Sequence, residues 1–289
     1  MDLVCVGDVM LDVRVDARTL KRGGDVHGTV RLQPGGTSAN AAVWAAWSGA
    51  TARVYGRLGD DLAGRTIGHA LVERGVEHAL TVDPQAPTGT MLVVHEPGER
   101  SMVADRGANA RFRRDDLPER IEAGAILVSG YLFLQEEGHD AAVAALERAR
   151  SSLVAIEAAS WPLIEAFGVD RFFGEAGPAS VIFANGSEAR VLTGAEGVDA
   201  AAALGTRFRV AAVKLGALGA ALCVEGELLE APAEPLDEVD PTGAGDAFDG
   251  VLLSGLARGL EPADALRHAC HAGALVAASA RTWPEDGPG

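Results

Sequence analysis

The range Asp240–Gly250 holds the residues best suited to chemistry, in the order Asp-Pro-Thr-Gly-Ala-Gly-Asp-Ala-Phe-Asp-Gly. Gly243 and Gly245 permit a tight turn, and the apolar pattern after them predicts a helix that begins at Ala244. Free amide groups at the start of such a helix form an anion site. The amides from Gly243 to Asp246 would therefore stabilise charge on a transferring phosphoryl group.

Asp246 would lie in the first turn of that helix, beside the anion site. A carboxylate there can accept the proton of a substrate hydroxyl as the hydroxyl attacks phosphorus. An ordinary aspartate pKa of about 4 makes it a weak base, which is tolerable because the proton can leave late in a loose transition state. These residues alone leave an alternative open, in which Asp246 only stabilises the helix dipole.

Two familiar nucleotide motifs are excluded at this segment. A Walker A loop ends in Gly-Lys-Ser/Thr, and no lysine follows Gly245. A dinucleotide-binding fingerprint needs a third glycine where Phe248 stands, and a buried strand in place of the acidic run Asp237–Asp240. The segment is thus a glycine-rich anion loop of another kind.

A second group of polar residues lies earlier in the chain. Gly35 and Gly36 precede an Ala-rich stretch, and such a pair lets the backbone approach a ligand closely. Asn40, on the first turn of the predicted helix, offers both a donor and an acceptor. Asp12 follows the first predicted strand, near the sheet edge where open α/β proteins bind ligands, and its carboxylate can accept two hydroxyl groups.

Apolar runs alternate with Ala-rich stretches, which predicts a doubly wound α/β fold with a mainly parallel sheet and helices on both faces. The predicted strands are Leu3–Val6, Ala52–Tyr55, Ala125–Val128, Leu153–Ile156, Val181–Phe183, Val210–Lys214 and Ala220–Val224. The predicted helices are Thr37–Trp47, Leu62–Arg74, Asp140–Arg150, Ser187–Leu192, Ala244–Arg258 and Pro262–Ser279.

Two segments, Val13–Leu32 and Thr88–Ala104, depart from this succession of strands and helices. Their apolar and polar residues alternate, which predicts short strands. They predict a small β-sheet that projects from the main domain as a lid, inserted at about residues 13–34 and 88–106. Ordinary surface hairpins are the alternative.

The formal net charge of −16 and the pI near 4.8 argue against binding to nucleic acid or to an anionic membrane. Any nucleotide site must then depend on local amides, a helix start and a metal ion. The three cysteines lie far apart, as expected of buried thiols in a reducing compartment. No run of about 18 apolar residues is present, and we expect a cytoplasmic protein.

Five motifs together resemble the PfkB-type carbohydrate kinases of the ribokinase-like family. Asp240–Gly250 matches the family's C-terminal signature. The other four follow in the family's order: Gly35–Ala42 (G-G-x-x-x-N-x-A), Gly56–Gly64 (G-x-x-G-x-D-x-x-G), Asn185–Glu188 (N-x-x-E) and the strand-turn Val213–Gly219. The resemblance implies one kinase domain over residues 1–289, with a ribokinase-like fold and a β-sheet lid.

The resemblance also implies roles for the matched residues in catalysis and substrate binding. Asp246 would be the catalytic base, and the phosphate would lie on Gly243, Ala244 and Gly245. The residues implied in sugar recognition are Asp12, Gly35, Gly36 and Asn40, with Arg106, Asn109, Gln135 and Glu136 as further candidates that could equally be solvated loop residues.

ATP and Mg²⁺ are the cofactors that the resemblance implies. The nucleotide would contact Asn185, Lys214, Gly216, Gly219, Thr242, Gly243, Gly245 and His271, the last of these beside adenine. Glu188, with Asn185, would organise Mg²⁺ through its waters and the phosphates, in keeping with the reluctance of magnesium to lose water.

Some positions depart from the ribokinase pattern. Met10 stands where a polar contact to ribose is usual, and Thr37-Ser38 replaces Lys-Gly. Ala278–Thr282 lacks the Gly-Ala turn that accompanies the monovalent-cation site. Ribose specificity and a monovalent cation are therefore left undecided, whereas phosphoryl transfer is still expected.

Two other functions are compatible with these motifs. A nucleoside kinase of the same family would use the same catalytic residues, although the lid segments contain no aromatic residue to stack on a second base. A catalytically silent sugar-binding regulator is disfavoured because the motifs are intact. We expect a sugar and ATP as ligands, and a homodimer joined through the exposed edge and apolar face of the lid.

Overall fold

Short apolar runs become strands in this chain because both of their faces are covered by Ala-rich helices. The computed structural model describes residues 1–17, 19, 23–96 and 99–284. The strands are β1 (Leu3–Val6), β2 (Met10–Asp16), β3 (Thr29–Gly35), β4 (Ala52–Gly59), β5 (Val76–Asp83), β6 (Gly89–Glu96), β7 (Glu99–Asp105), β8 (Ile121–Glu122), β9 (Ala125–Val128), β10 (Ala149–Arg150), β11 (Leu153–Glu157), β12 (Val181–Asn185), β13 (Val210–Lys214), β14 (Ala220–Val224) and β15 (Glu227–Ala231).

The helices connect these strands and cover the larger sheet. They are α1 (Thr37–Trp47), α2 (Leu62–Glu73), α3 (Gly130–Phe133), α4 (His139–Arg148), α5 (Trp161–Phe167), α6 (Val169–Glu175), α7 (Gly186–Thr193), α8 (Gly197–Gly205), α9 (Ala244–Ala257) and α10 (Pro262–Ala277). Single 3₁₀ turns occupy Gly107–Arg111, Arg114–Asp116 and Gly216–Leu218.

The larger sheet has the order β15-β14-β13-β12-β11-β9-β1-β4-β5 in the described part of the chain. Neighbouring strands pair in parallel except at β13–β14 and β14–β15, which pair antiparallel, so β14 alone runs opposite to the other strands of this sheet. The doubly wound fold predicted from the sequence is confirmed. Because parallel strands end at one edge, the loops after β1, β9, β12 and β13 open on the same side of the sheet.

Hydrophobic cores lie on both faces of this sheet. Leu3 and Cys5 of β1 join one core with buried residues of α1, α9 and α10. Val4 and Val6, which alternate with them, join the other core with residues of α3 to α8. The alternation explains why β1 is apolar at every position.

A second sheet, called here the small sheet, has the order β3-β2-β6-β7. β2 pairs antiparallel with β3, β6 pairs antiparallel with β7, and β2 joins β6 in parallel. The segments Val13–Leu32 and Thr88–Ala104 therefore contribute to one sheet and not to separate hairpins. Its movement as a lid remains a prediction.

Several elements escaped the sequence analysis. β5, β15, α5, α6 and α8 were not predicted, and β4 continues four residues beyond Tyr55 to Gly59. β15 is mostly exposed and β5 carries polar residues, so neither has the apolar run of a buried strand. Among the described residues no helix is long and apolar enough to cross a membrane.

Candidate active site

The site is built around the start of α9. Gly243 adopts a positive φ of 87°, and a Cβ atom there would lie 2.3 Å from the Thr282 methyl group, so the position requires glycine. The first helical bond runs from the Ala247 amide to the Gly243 carbonyl. The amides of Gly245 and Asp246 have no acceptor within the described part of the chain, and they provide the predicted anion site.

Ala244 requires a correction. Its amide donates to the Pro241 carbonyl at 3.1 Å, which closes the turn before the helix. The amide is therefore unavailable to a phosphate, and the anion site is smaller than the sequence predicted.

Asp246 lies half-buried in the first turn of α9, as predicted. Its Oδ2 accepts a hydrogen bond of 2.7 Å from Asn40 Nδ2 on α1. Burial raises its pKa to about 6, although the Asn40 hydrogen bond and the Lys214 charge oppose this, and the charge of Asp12 adds to the rise. The influence of Asp12 on Asp246 puts the candidate base and a candidate sugar ligand in one site.

Asn40 is held from its other side by an indole that the sequence analysis missed. Trp283 Nε1 donates to Asn40 Oδ1 at 2.7 Å, and Trp283 itself is buried. The side-chain amide is therefore fixed in orientation by Trp283 and Asp246. Apart from its residue type, the sequence around Trp283 gives no indication of this hydrogen bond.

Asp12 points from β2 to the buried side of the small sheet. It is buried, and burial raises its pKa to about 6, against the lowering effect of Arg14 and with a further rise from Asp240. A Cβ atom on Gly35 would lie 2.5 Å from Asp12 Oδ2, so Gly35 provides the space for this carboxylate. Gly36 likewise lies against the Asp8 carbonyl at the start of α1.

Arg106 and Asn109 follow the small sheet, and they differ in their contacts. Arg106 Nη2 lies 3.3 Å from Asp8 Oδ1, and Nη1 donates to the Glu137 carbonyl at 2.8 Å. Asn109 is 1% exposed, accepts from the Val9 amide and donates to the Val9 carbonyl, both at 3.0 Å. The prediction that Asn109 contacts the substrate is therefore not supported, because its amide is engaged in fixing Val9.

The loop between α3 and α4 carries two further candidates. Gln135 is partly buried, and Glu136 is exposed. No described contact joins Glu136 to the cluster around Asp246. Only its neighbour Glu137 is linked, through its carbonyl group, to Arg106.

Lys214, at the end of β13, faces the start of α9. Its Nζ donates to both carboxylate oxygens of Asp249, at 2.9 and 2.7 Å, and it would lie 3.3 Å from a Cβ atom on Gly245. Burial alone would lower the pKa of Lys214, but the charges of Asp249 and Glu157 raise it, so the ammonium group stays protonated. Asp249 was not predicted as a site residue, although it belongs to the signature segment.

Asn185 and Glu188 form a capping box at the start of α7. Asn185 Oδ1 accepts from the Glu188 amide at 3.0 Å, and Glu188 Oε2 accepts from the Asn185 amide at 2.8 Å. Burial raises the pKa of Glu188, and the charge of Lys214 opposes this. The pair lies together at one helix start, as the spacing predicted.

The site has features that fit a magnesium–nucleotide complex. Glu157, at the end of β11, is buried, and its Oε2 has no hydrogen-bond partner in the described chain. This oxygen and the Glu188 carboxylate are hard ligands of the type that magnesium prefers, directly or through water. The described residues contain no group of three or more such side chains placed to hold a metal alone, so the phosphates would have to share it.

The remaining nucleotide candidates divide into two groups. Thr242 is tied to Asp240 by its amide and its hydroxyl, at 2.9 and 2.7 Å, just before the anion site. Gly216 is exposed beside Lys214, whereas Gly219 is buried, and a Cβ atom there would lie 2.0 Å from the Ala231 carbonyl. The known contacts of His271 are Glu234 and Trp47, which do not link it to the cluster.

Tyr131 is a second residue that the sequence analysis missed. It follows β9 on α3 and is partly exposed. Burial raises the pKa of its phenol, as do the charges of Glu157, Asp246, Glu188 and Asp8. Tyr131 therefore lies near the same group of carboxylates.

Comparison with known proteins decides the family. The pattern of the pfkB family carbohydrate kinases matches residues 1–283. The chain belongs to this family. It is 29% identical to a fructokinase of Klebsiella pneumoniae over 96% of this chain and 94% of that protein. It is also 31% identical to a ribokinase of Mus musculus over 88% of this chain and 81% of that protein.

Solved structures confirm the ribokinase-like fold. The adenosine kinase of Sinorhizobium meliloti superposes with a TM-score of 0.89 at 23% identity, covering 99% of this chain and 96% of that one. An E. coli protein assigned as ribokinase II, in complex with ATP and Mg²⁺, superposes with a TM-score of 0.83 at 21% identity, covering 96% of this chain and 92% of that one. PfkB kinases are phosphotransferases that act on hydroxyl groups with ATP and Mg²⁺, and this chain is an ATP-dependent sugar kinase of that family.

Proposed function

We propose that this kinase phosphorylates a hydroxyl group of a small, uncharged sugar or sugar-like compound, with Asp246 as the general base. The observation that carries the proposal is the position of Asp246 beside the free amides of α9, fixed by Asn40. Its raised pKa of about 6 improves the match between the base and a reaction near neutral pH.

Different residues act on the two substrates, ATP and the sugar. Bound ATP supplies the phosphoryl group, and Mg²⁺ offsets part of its charge. The amides of Gly245 and Asp246, with the ammonium group of Lys214 nearby, stabilise negative charge at the transferring group. Asn185 and Glu188 are proposed to hold the magnesium through water, and Asp12 to orient the sugar through two of its hydroxyl groups.

The charge of the sugar side favours an uncharged acceptor. Asp8, Asp12 and Asp246 place three carboxyl groups around this part of the site, and Arg106 is engaged by Asp8. A carboxylate or phosphate on the acceptor would be repelled by them. We therefore propose that neutral sugars are preferred over keto-deoxy acids and sugar phosphates.

One observation favours a nucleoside as a second candidate. Tyr131 lies near the carboxylates of the site, whereas the lid segments contain no aromatic residue. A base could stack on the Tyr131 ring while Asp12 binds the ribose hydroxyls. A screen of ATP consumption over ketoses, aldoses, keto-deoxy acids and nucleosides separates the two candidates. If the protein consumes no ATP with any of these compounds, the result would support a sugar-binding role without catalysis.

The role of Asp246 is tested by the substitution Asp246→Asn. We expect turnover to fall by about 10²-fold or more because the base is lost, while sugar binding is largely kept. The matched control is Asp264→Asn, which alters an exposed aspartate in the first turn of α10. If Asp246 served only the helix dipole, both variants would lose a little stability and neither would lose turnover. Near-normal turnover in Asp246→Asn would refute the assignment.

We also propose that two chains associate through the small sheet. Val13 on β2 faces Leu32 on β3 and Leu92 on β6, and Leu92 in turn faces Val103 on β7. Leu32 and Val103 are 65% and 64% exposed, whereas polar Asp12 and Arg14 on the opposite face are buried. An apolar face toward solvent, with β3 and β7 as open edges, supports a homodimer that covers it.

The free state of Cys5, Cys223 and Cys270 supports the proposal of a reducing, ATP-supplied compartment, the cytoplasm.

A further inference from the structure

Arg14 is a buried arginine outside the set of residues that contact the substrates in the proposed function. It lies on β2 between Asp12 and Asp16, on the face of the small sheet that is turned to the main domain. It is 3% exposed, and an arginine is rarely buried to this extent unless its charge is paired. The alternating pattern of Val13 and Val15 predicts the strand but indicates no role for the residue between them.

The guanidinium group is surrounded by oxygen atoms from two other segments. Nη1 contacts the carboxylate of Asp240 and the Ala280 carbonyl, the latter at 3.2 Å. Nη2 donates to Thr282 Oγ1 at 2.7 Å. Asp240 is 4% exposed, and hydrogen bonds from Thr242 and the charges of Arg14 and His95 lower its pKa despite partial burial. The carboxylate is therefore ionised against a fixed cation.

One series of contacts connects Arg14 to the anion site. Asp240 Oδ1, the oxygen not engaged by Arg14, accepts from the amide and the hydroxyl of Thr242. Thr242 immediately precedes Gly243, whose positive φ shapes the turn into α9. The position of the Asp240 carboxylate thus governs where the turn begins.

A second series of contacts connects Arg14 to the proposed base, Asp246. The Thr282 methyl group packs against Gly243, and the Thr282 carbonyl accepts from Trp44 Nε1 at 2.8 Å. The next residue, Trp283, donates to Asn40, which donates to Asp246. A displacement of residues 280–282 would therefore reach Asp246 through two hydrogen bonds.

We propose that Arg14 is a positioning residue that acts as the built-in cation of the anion site. It fixes Asp240 and residues 280–282, so that the amides of Gly245 and Asp246 and the Asp246 carboxylate keep one arrangement. A carboxylate, a carbonyl and a hydroxyl are oxygen ligands that an alkali cation could also use, but here they are held by the guanidinium. The kinase is consequently independent of potassium and sodium. This inference rests on the proposed function.

The first test measures turnover of the wild-type protein in potassium, sodium and tetramethylammonium chloride at equal ionic strength. We expect the same kcat in all three salts. A several-fold activation by potassium would overturn the inference while leaving the kinase function intact. Absence of turnover in every salt would instead count against the proposed function. ATP binding by calorimetry in the same salts then tests the inference separately, and an affinity that depends on potassium would refute it.

The second test replaces the cation. Arg14→Met should lower kcat by roughly 10²-fold, because the reacting groups lose their alignment, and added guanidinium or potassium should restore part of that loss. The matched control is Arg31→Met, which removes the arginine directly opposite on β3 that pairs with Asp16 at the surface. We expect the control to keep wild-type kcat in every salt.

Folding is checked by circular dichroism and thermal unfolding. If Arg14→Met does not fold, Arg14→Lys keeps the positive charge but can make fewer of the hydrogen bonds to Asp240, Ala280 and Thr282, and its kcat should still fall below that of the wild type. Wild-type kcat in either folded Arg14 variant, or a loss that neither guanidinium nor potassium restores, would contradict the role of a positioning cation.

Discussion

A carboxyl group serves as a base only if it is ionised at the working pH and still attracts a proton in the transition state. Burial raises the pKa of both Asp246 and Asp12 to about 6, well above that of a solvated aspartate. The Asn40 hydrogen bond and the Lys214 charge keep Asp246 from rising further. The site thus gives a weak base a more suitable proton affinity.

The pH dependence of kcat/KM follows from these two groups. Protonation of Asp246 removes the base and protonation of Asp12 weakens sugar binding, so we expect an acid limb centred at about pH 6. Steady-state kinetics from acid to neutral pH test this expectation. A limb centred near pH 4, the value for a solvated aspartate, would contradict the proposed environment of both groups.

The raised pKa of Asp12 also predicts an effect on stability. Its pKa is higher in the folded chain than in the unfolded chain, so the folded state holds the proton more tightly and ionisation costs stability. Stability is therefore lost as the pH rises from about 4 through about 6. Asp12→Asn should raise the free energy of unfolding by about 3 kcal/mol at neutral pH and by almost nothing near pH 4, while weakening sugar binding.

Thermal or urea unfolding at both pH values measures this gain. Asp264→Asn, at an exposed side chain of α10, is the control, and it should show no such pH-dependent gain. An Asp12→Asn variant that is less stable than wild type at neutral pH would contradict the argument.

At the scale of elements, the contact between α1 and α9 holds the site together. Asn40 lies on α1 and Asp246 on α9, and their hydrogen bond of 2.7 Å depends on the spacing of the two helices. Gly250 lies at the contact, where a Cβ atom would be 2.1 Å from the Ala41 carbonyl. The helices can approach only because this position has no side chain.

Gly250→Ala should therefore force the helices apart. We expect the free energy of unfolding to fall by about 1–3 kcal/mol and kcat/KM to fall with it. Gly255→Ala in the same helix is the matched control, because its Cβ atom would make an ordinary contact of 3.4 Å with Ala265. That variant should be neutral or more stable by up to about 1 kcal/mol, since alanine favours helix. Equal stability of the two variants would refute the packing argument.

The sequence predicted those elements whose pattern is local. α1, β9, β13 and β14 have the predicted bounds, because apolar runs and glycine or polar boundaries define them. β15 was missed because its residues are mostly exposed, and its pairing with β14 depends on a tertiary edge.

The candidate site divides in the same way. The glycines around Asp246 and the Asn185–Glu188 spacing indicated their local geometry correctly. Sequence could not show that Asn109 is engaged by Val9, or that Trp283 and Arg14 hold the site, because those contacts join residues 100 or more positions apart.

At the scale of the whole molecule, the small sheet has its polar face inward and its apolar face outward. Asp12 and Arg14 are buried against the main domain, while Val30 and Leu32 are 62% and 65% exposed. This is the reverse of an ordinary surface sheet, and it is explained if a second copy covers the outer face.

The homodimer can be tested by analytical ultracentrifugation. We expect a dimer at micromolar concentration, and Leu32→Glu should shift it to monomer because a charge would be buried in the interface. Val72→Glu alters an equally exposed apolar residue on α2 and should leave the dimer intact. A monomeric wild-type protein under these conditions would dispose of the proposed interface.

The hydrogen bond between Trp283 and Asn40 has a consequence for the order of biosynthesis. It joins residues 243 positions apart. The ribosome releases Asn40 early, and the indole that orients it emerges only after the larger sheet and α9 have been made. Helix α1 can form long before its functional amide acquires a fixed direction. We therefore expect a nascent chain to form α1 well before it gains activity, so that a partly made kinase does not consume ATP.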